Sequence, residues 1–200
     1  MTERLDRIVA AADGRLGWVR CAIEALYHRH NVSAVLRTCE SLGLQHVHLV
    51  EGHFHPSKGT ARGAERWLDL HEHATPTDAI AAIRAAGFAV WVADFADPPV
   101  PPEAVPIDRP VCLWFGAELV GVSPEARAAA DGVVTIPMRG LAQSLNVSVA
   151  AAVCLRAVAE RARAELGAGA LLPPAERDAL LAKWIGREER LKLAIAERSG

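Results

Sequence analysis

Arg37 is the first side chain whose setting suggests chemistry. It lies in the segment NVSAVLRTCESLG, residues 31–43, where Ser33, Arg37 and Ser41 recur every fourth position, opposite Val32, Val35, Leu36, Cys39 and Leu42. A helix would carry the three polar residues on one side, and an arginine there can grip a phosphate through its planar fork. A solvated arginine, or one paired with Glu40, explains the same pattern. The second segment, FGAELVGVS at 115–123, offers Gly116 and Gly121 for close backbone approach to a ligand and Glu118 as a carboxylate. A plain turn leading into a helix capped by Ser123 would read identically. The third, IPMRGLAQSLNVSVAAAV at 136–153, crowds Gln143, Ser144, Asn146 and Ser148 onto a helix start, whose free N–H groups favour an acceptor. Capping by Ser144 accounts for one of those four residues and leaves three unexplained.

Histidine is the other concentrated residue type. All eight fall within 28–73, as H-x-H pairs at 28/30, 46/48, 53/55 and 71/73. On a strand such a pair puts both rings on one face, a feasible metal geometry. No carboxylate or cysteine spacing completes a site, so the expectation is exposed histidines and no metal.

The elements that must position these residues follow from periodicity. A helix is expected over 3–12, with Leu5, Ile8 and Val9 on one stripe, and a first strand, or more helix, over 18–26. Asn31 would cap the helix that Gly43 ends. Strands are expected at 46–51, 88–93, 111–115 and 133–136, and helices at 76–86 and 124–130. Residues 95–110 hold six of the twelve prolines and should form an extended loop. A long helix over 144–166 is apolar almost all round as far as Val153, which predicts a deeply packed first half. A last helix, 175–197, spaces Leu180, Leu181, Trp184, Ile185, Leu191 and Ile195 helically. Short apolar strands alternating with helices predict an α/β domain with a mostly parallel sheet covered on both faces and a helix at each end. Such sheets bind ligands at the carboxyl ends of their strands, here after Ala93, Phe115 and Ile136.

Composition bounds the class. Two hundred residues at 51% hydrophobic and 23% charged describe a globular chain and exclude disorder. No apolar run approaches the ~18 residues of a membrane span, and the first residues do not read as a secretion signal. Cys21, Cys39, Cys112 and Cys154 are scattered, which suits reduced thiols in a cytoplasm. The net charge of -2 gives no global basic footprint. The ends are slightly basic, however, with nine Lys/Arg against seven acids over 156–200 and eight against thirteen over 31–155. A polyanion would need a local arginine patch, assembled for instance between subunits.

Taken in order, HNVSAVLRTCESLG (30–43), PVCLWFGAELVGVS (110–123) and IPMRGLAQSLNVSVAAAVCL (136–155) resemble the motifs of the SpoU/TrmH family of RNA ribose 2′-O-methyltransferases, part of the SPOUT superfamily. The likeness covers about residues 3–165, and is nearest the branch that methylates a D-loop guanosine of tRNA; Gly63-Ala64-Glu65-Arg66-Trp67 adds to it. The resemblance implies an α/β sheet whose C-terminal part is threaded as a deep trefoil knot, a homodimer packed through that region, S-adenosylmethionine as cofactor, tRNA as partner, and no metal, membrane or DNA. It implies an organisation of an N-terminal helical extension (1–16), the methyltransferase domain (17–166) and a C-terminal helical extension (167–200). Cofactor contacts would be Val92, Ala93, Asp94, Gly116, Ile136, Met138 and Leu145. Arg37 would act on the ribose 2′-hydroxyl once a phosphate is bound, either as base or, since guanidinium groups keep their protons, as a clamp that lowers the hydroxyl's pKa. Asn31, Glu118, Ser144 and Asn146 would orient Arg37, the ribose or the RNA backbone.

Departures from the family pattern are Arg29 before His30, Leu119-Val120 after Glu118, Arg139 in the IPM-x-G loop, and Phe95-Ala96-Asp97 ahead of the prolines. They border surface that would meet RNA, so they bear on substrate more than on reaction. Methylation of another tRNA site or of rRNA, or a non-catalytic knotted RNA-binding module, are the alternatives. Retention of Asn31, Arg37, Glu118 and Asn146 speaks against the last.

Overall fold

The computed structural model describes residues 2–24, 29–50, 63–117 and 120–199, with Thr2, Arg29 and the last nine in backbone alone. Six strands form one sheet in the order β3-β2-β1-β5-β4-β6, every neighbouring pair parallel. They are β1 (Val19–Glu24), β2 (His46–Val50), β3 (Asp69–His73), β4 (Ala89–Ala93), β5 (Val111–Phe115) and β6 (Gly132–Val134). The helices are α1 (Thr2–Asp13), α2 (Arg29–Ser41), α3 (Pro76–Ala85), α4 (Pro124–Ala129), α5 (Val147–Leu166) and α6 (Pro174–Ser199). The α/β architecture with a mostly parallel sheet is therefore as expected.

Strand alternation splits the core in two. Along β5, Val111, Leu113 and Phe115 face α2 and α5, with Leu36, Cys39, Leu155 and Val158. Cys112 and Trp114 face α3 and α4, with Ile80, Ile83 and Ala126. A strand buried on both faces must be apolar throughout, which is why VCLWF shows no alternation in its sequence. A third, smaller core joins α1 to α6 through Ile8, Ala12, Leu172, Leu180 and Trp184, with Trp67 edge-on to the Trp184 ring at 5.2 Å. Arg15, 2% exposed, lies with its guanidinium over Trp184 and donates to the Leu44 carbonyl at 2.9 Å. Glu40 pairs with this arginine, not with Arg37.

Four expectations are corrected. Helix α2 already includes Arg29, so Asn31 lies inside its first turn and does not cap it. Ser33, expected on the polar side with Arg37 and Ser41, is fully buried. Helix α5 starts at Val147 with Asn146 as its cap, three residues later than Ser144, because the Asn146 carboxamide oxygen accepts from the Ser148 N–H at 2.9 Å. Its first half is not deeply packed, since Val149 and Val153 are 47% and 40% exposed. The proline-rich loop is tied down more than an extended loop need be. Pro102–Ala104 make a 3-10 turn, Val105 and Ile107 are buried, and Arg161 and Trp18 donate to their carbonyls at 2.8 and 3.1 Å.

Candidate active site

Three adjacent strands end together: Ala93 of β4 pairs in register with Phe115 of β5 and with Val134 of β6. Beyond those ends lies a cavity of about 430 Å³, a size suited to a small ligand. Its walls come from the loop after β4 (Asp94, Phe95), the turn after β5 (Gly116, Ala117, Gly121), the segment after β6 (Thr135, Ile136, Met138, Gln143–Asn146) and the first turns of α5.

Each wall has a local cause. Gly116 is required by the turn: a Cβ there would sit 2.2 Å from the Gly121 carbonyl oxygen, and Ala117 and Gly121 exchange backbone hydrogen bonds at 2.9 and 2.8 Å. Gly121 itself has φ +77, a conformation that other residues rarely adopt. The glycines thus serve the approach of backbone to backbone. The turn is held to β1 by the buried Glu24 carboxylate, which accepts from the Trp114 indole N–H at 2.7 Å and the Ser123 N–H at 3.2 Å. Asp94 and Phe95 are pinned: the Asp94 N–H donates to the Val134 carbonyl, the Thr135 hydroxyl donates to the Asp94 carbonyl at 2.6 Å, and Arg127 pairs with the Asp94 carboxylate.

The segment after β6 is different. Residues 136–145 form no regular element, and among the described residues their backbone N–H and C=O groups have no hydrogen-bond partner. Most of the segment is exposed, so water serves those groups, and where Ile136, Met138 and Gln143–Leu145 line the cavity a ligand with donors and acceptors of its own can take the water's place. Cys154 also lines the cavity, but burial pushes its thiol up to about 12, with Glu103 adding to the effect, so it is neutral and no nucleophile.

Of the sequence-predicted residues, Ala93, Asp94, Gly116, Ile136, Met138, Ser144, Leu145 and Asn146 line this cavity. Val92 faces the other way, into the core beneath α3 and α4, because consecutive strand residues point to opposite faces. Asn31 is brought to the cavity's edge: the Asn146 carboxamide donates to its side-chain oxygen at 3.4 Å. Arg37 is exposed on α2, with no hydrogen bond or ion pair among the described residues. Glu118 lies outside the described residues. Sequence reasoning missed Thr135 and Arg127, and gave Phe95 only as a departure from the family pattern. Phe95 carried a signal, a large apolar residue in a polar loop beside Asp94. Arg127 carried none, since its partner is 33 residues away.

The histidines on β2 and β3 are not exposed loop residues. His46 and His48 are buried, and their Nδ1 atoms meet Nε2 of His71 and His73 at 3.0 and 2.9 Å. The other nitrogen of His46 lies 2.6 Å from Glu176 of α6. Burial lowers the pKa of His48 to about 2 and of His71 to about 4, helped by the positive charges of neighbouring rings and Arg20. Among the described residues no group of histidine, cysteine and carboxylate side chains is arranged to hold a metal. The pairs at 28/30 and 53/55 fall wholly or partly outside the described residues.

Comparison with known proteins agrees with this geometry. Residues 19–156 match the family described as the SpoU rRNA methylase family. The chain is 37% identical over 166 residues to a tRNA (guanosine(18)-2'-O)-methyltransferase of Thermus thermophilus, covering 82% of this chain and 86% of that protein. The crystal structure of the Aquifex aeolicus TrmH/SpoU tRNA modifying enzyme superposes with a TM-score of 0.83 at 28% identity, over 94% of this chain and 97% of that one. The SpoU methyltransferase AviRb of Streptomyces viridochromogenes, solved with its cofactor AdoMet, gives 0.63 at 25% identity, over 78% and 64%.

Proposed function

Since this chain belongs to the SpoU methylase family, we propose that it methylates the ribose 2′-hydroxyl of a guanosine in the D-loop of tRNA, taking the methyl group from S-adenosylmethionine and acting as a cytoplasmic homodimer. The observation that carries this reading is the convergence of the three separated motifs: two of them wall the cavity, and the third reaches it through the Asn31–Asn146 contact.

The residues fit the cofactor. The backbone of Ile136, Met138 and Gln143–Leu145, without hydrogen-bond partners among the described residues, offers donors and acceptors to a nucleoside, beside the apolar Leu145, Ile136 and Ala93 side chains. Bound there, S-adenosylmethionine supplies an activated methyl that needs in-line alignment and no metal. The chain's own part is to hold the acceptor. Arg37 stands six residues beyond Asn31 on α2, about 9 Å along the helix axis. With no partner of its own among the described residues, its guanidinium is available to a phosphate, and a cation there favours loss of the 2′-hydroxyl proton during attack. Asn31 and Asn146 hold each other and orient the ribose; Ser144 and Glu118 serve the RNA backbone. A 2′-hydroxyl acceptor selects RNA over DNA.

The dimer reading is supported by Val149 and Val153, one turn apart on α5 and 47% and 40% exposed, which make an apolar stripe, and by Leu141 in the segment before it, 105% exposed. An apolar stripe of that kind asks for a covering surface, and the partner subunit would bring its own arginines to a shared RNA patch. Segment 136–146 is read as the crossing of the family's trefoil knot. The α1–α6 pair is read as an accessory RNA-binding unit comprising residues 1–16 and 167–200. The four reduced, buried cysteines suit the cytoplasm, and no described helix is long and apolar enough to cross a membrane.

Incubation of the protein with bulk tRNA and rRNA and isotope-labelled S-adenosylmethionine, followed by mass-spectrometric mapping of 2′-O-methyl nucleosides, tests this. Label in a D-loop guanosine of tRNA is expected. Label confined to rRNA or to another tRNA position, or none, overturns it.

A further inference from the structure

We propose that Phe95 forms an aromatic wall for the adenine of the cofactor, and that Arg127 is a positioning residue that holds Phe95 in place; the inference rests on the methyltransferase reading above. The loop after β4 is unusual in how completely it is fixed. The Asp94 N–H donates to the Val134 carbonyl at 3.1 Å, and the Asp94 carbonyl accepts from the Thr135 hydroxyl at 2.6 Å. The Phe95 N–H donates to the Asp94 carboxylate at 2.7 Å, and the Phe95 carbonyl accepts from Arg127 at 2.9 Å. The second arm of the Arg127 guanidinium pairs with that same carboxylate. All four backbone polar groups of two consecutive loop residues are thus satisfied within the protein.

What this scaffold presents is a phenylalanine that is 63% exposed and lines the cavity. Fixing the backbone costs conformational entropy, and a ring left in solvent returns nothing for it. The arrangement gains its return when a flat surface covers the ring. The adenine is the planar part of the cofactor, and base–aromatic stacking needs only a π-face. Arg127 is suited to its task where lysine would not be, because the fork grips a carboxylate and a carbonyl at once.

Calorimetric titration of S-adenosylmethionine into the protein without RNA tests this. Phe95→Ala should weaken binding about tenfold, Phe95→Trp should retain it, and Phe95→Leu should fall between, because an apolar side chain without a flat face cannot stack. Arg127→Ala should match Phe95→Ala, with Arg127→Lys recovering part through the retained Asp94 pair. The double variant should be no weaker than Phe95→Ala alone, since Arg127 acts through the ring, and all variants should melt near the parent temperature. Unchanged cofactor affinity in Phe95→Ala overturns the proposal, as does unchanged affinity with a raised KM for tRNA, which would place the ring against RNA. Additive losses in the double variant overturn the role of Arg127. A parent protein that binds no S-adenosylmethionine rejects the methyltransferase reading itself, and this proposal with it.

Discussion

Two concentrations of polar side chains sit on one sheet and have opposite characters. On β2 and β3 the four histidines are turned on one another: each close N···N contact uses an N–H of one neutral ring and a lone pair of the next, and His46 spends its remaining nitrogen on Glu176. Of these ring nitrogens only Nε2 of His48 is left buried without a partner among the described residues. At the ends of β4, β5 and β6 the balance is reversed: backbone groups over 136–145 have no partner among the described residues, and part of that segment lines a cavity, while the Arg37 guanidinium on α2 is likewise unpartnered. Reactive residue types that satisfy one another build structure; polar groups left unsatisfied beside a void are available to a ligand. By residue type alone the histidines were the more tempting site.

The sharpest way to break this comparison is to exchange the effects of substitution. Arg37→Ala should lower methyl transfer by ~10²–10⁴-fold while S-adenosylmethionine affinity and melting temperature stay at the parent values; undiminished turnover would remove Arg37 from the reaction. His48→Ala should do the converse. Its loss removes the buried half of the His48–His73 hydrogen bond, a cost of about 1–3 kcal/mol, seen as a lower denaturation midpoint with kcat and KM at 25 °C unaltered. A His48 variant that is normally stable but inactive would turn the ladder into a site.

Acid should separate the regions further. A group whose folded pKa lies below its unfolded value, near 6.5 for histidine, leaves the unfolded chain binding more protons at lower pH. The ladder's contribution is therefore complete above about pH 6.5 and is lost as the pH falls toward about 4, where His71 titrates in the fold. Protonation also sets N–H against N–H across the 2.9 and 3.0 Å contacts. Melting temperature followed from pH 7 to 5 should fall, and fall less in His48→Ala; a flat profile contradicts the burial argument. The smallest expected effect is chemical. All four cysteines are buried, with Cys21, Cys112 and Cys154 held protonated by that burial, so alkylation at pH 8 should leave the native protein unmodified and active. Inactivation by alkylation would show that Cys154 is reachable through the cavity.

Most strands and helices were legible because they are carried by local signals, a continuous apolar run closed by Gly116 in VCLWF and helical periodicity between Pro76 and Gly87 in PTDAIAAIRAA; β3, DLHEH, has neither signal and was not expected. The three motif segments could be picked out for the same reason: their unusual residues lie side by side in sequence. Where local signals compete, they misled. Asn31 resembles a cap, yet α2 already includes Arg29 two residues earlier; Asn146 caps α5 in place of Ser144. The all-apolar start of α5 read as buried, although Val149 and Val153 form an open stripe, because periodicity reports that a face must be covered and not whether the same chain covers it.

What the sequence determined by itself was the class of fold and the residues that merit attention, since both depend on neighbours a few positions apart. Only the tertiary structure decided that the histidines pair across β2 and β3, that Val92 faces away while Ala93 lines the cavity, and that Arg127 reaches back 33 residues to Asp94. Those outcomes follow from strand register and helix placement, which are settled by packing energies summed over the whole core and leave no mark on any short stretch of sequence.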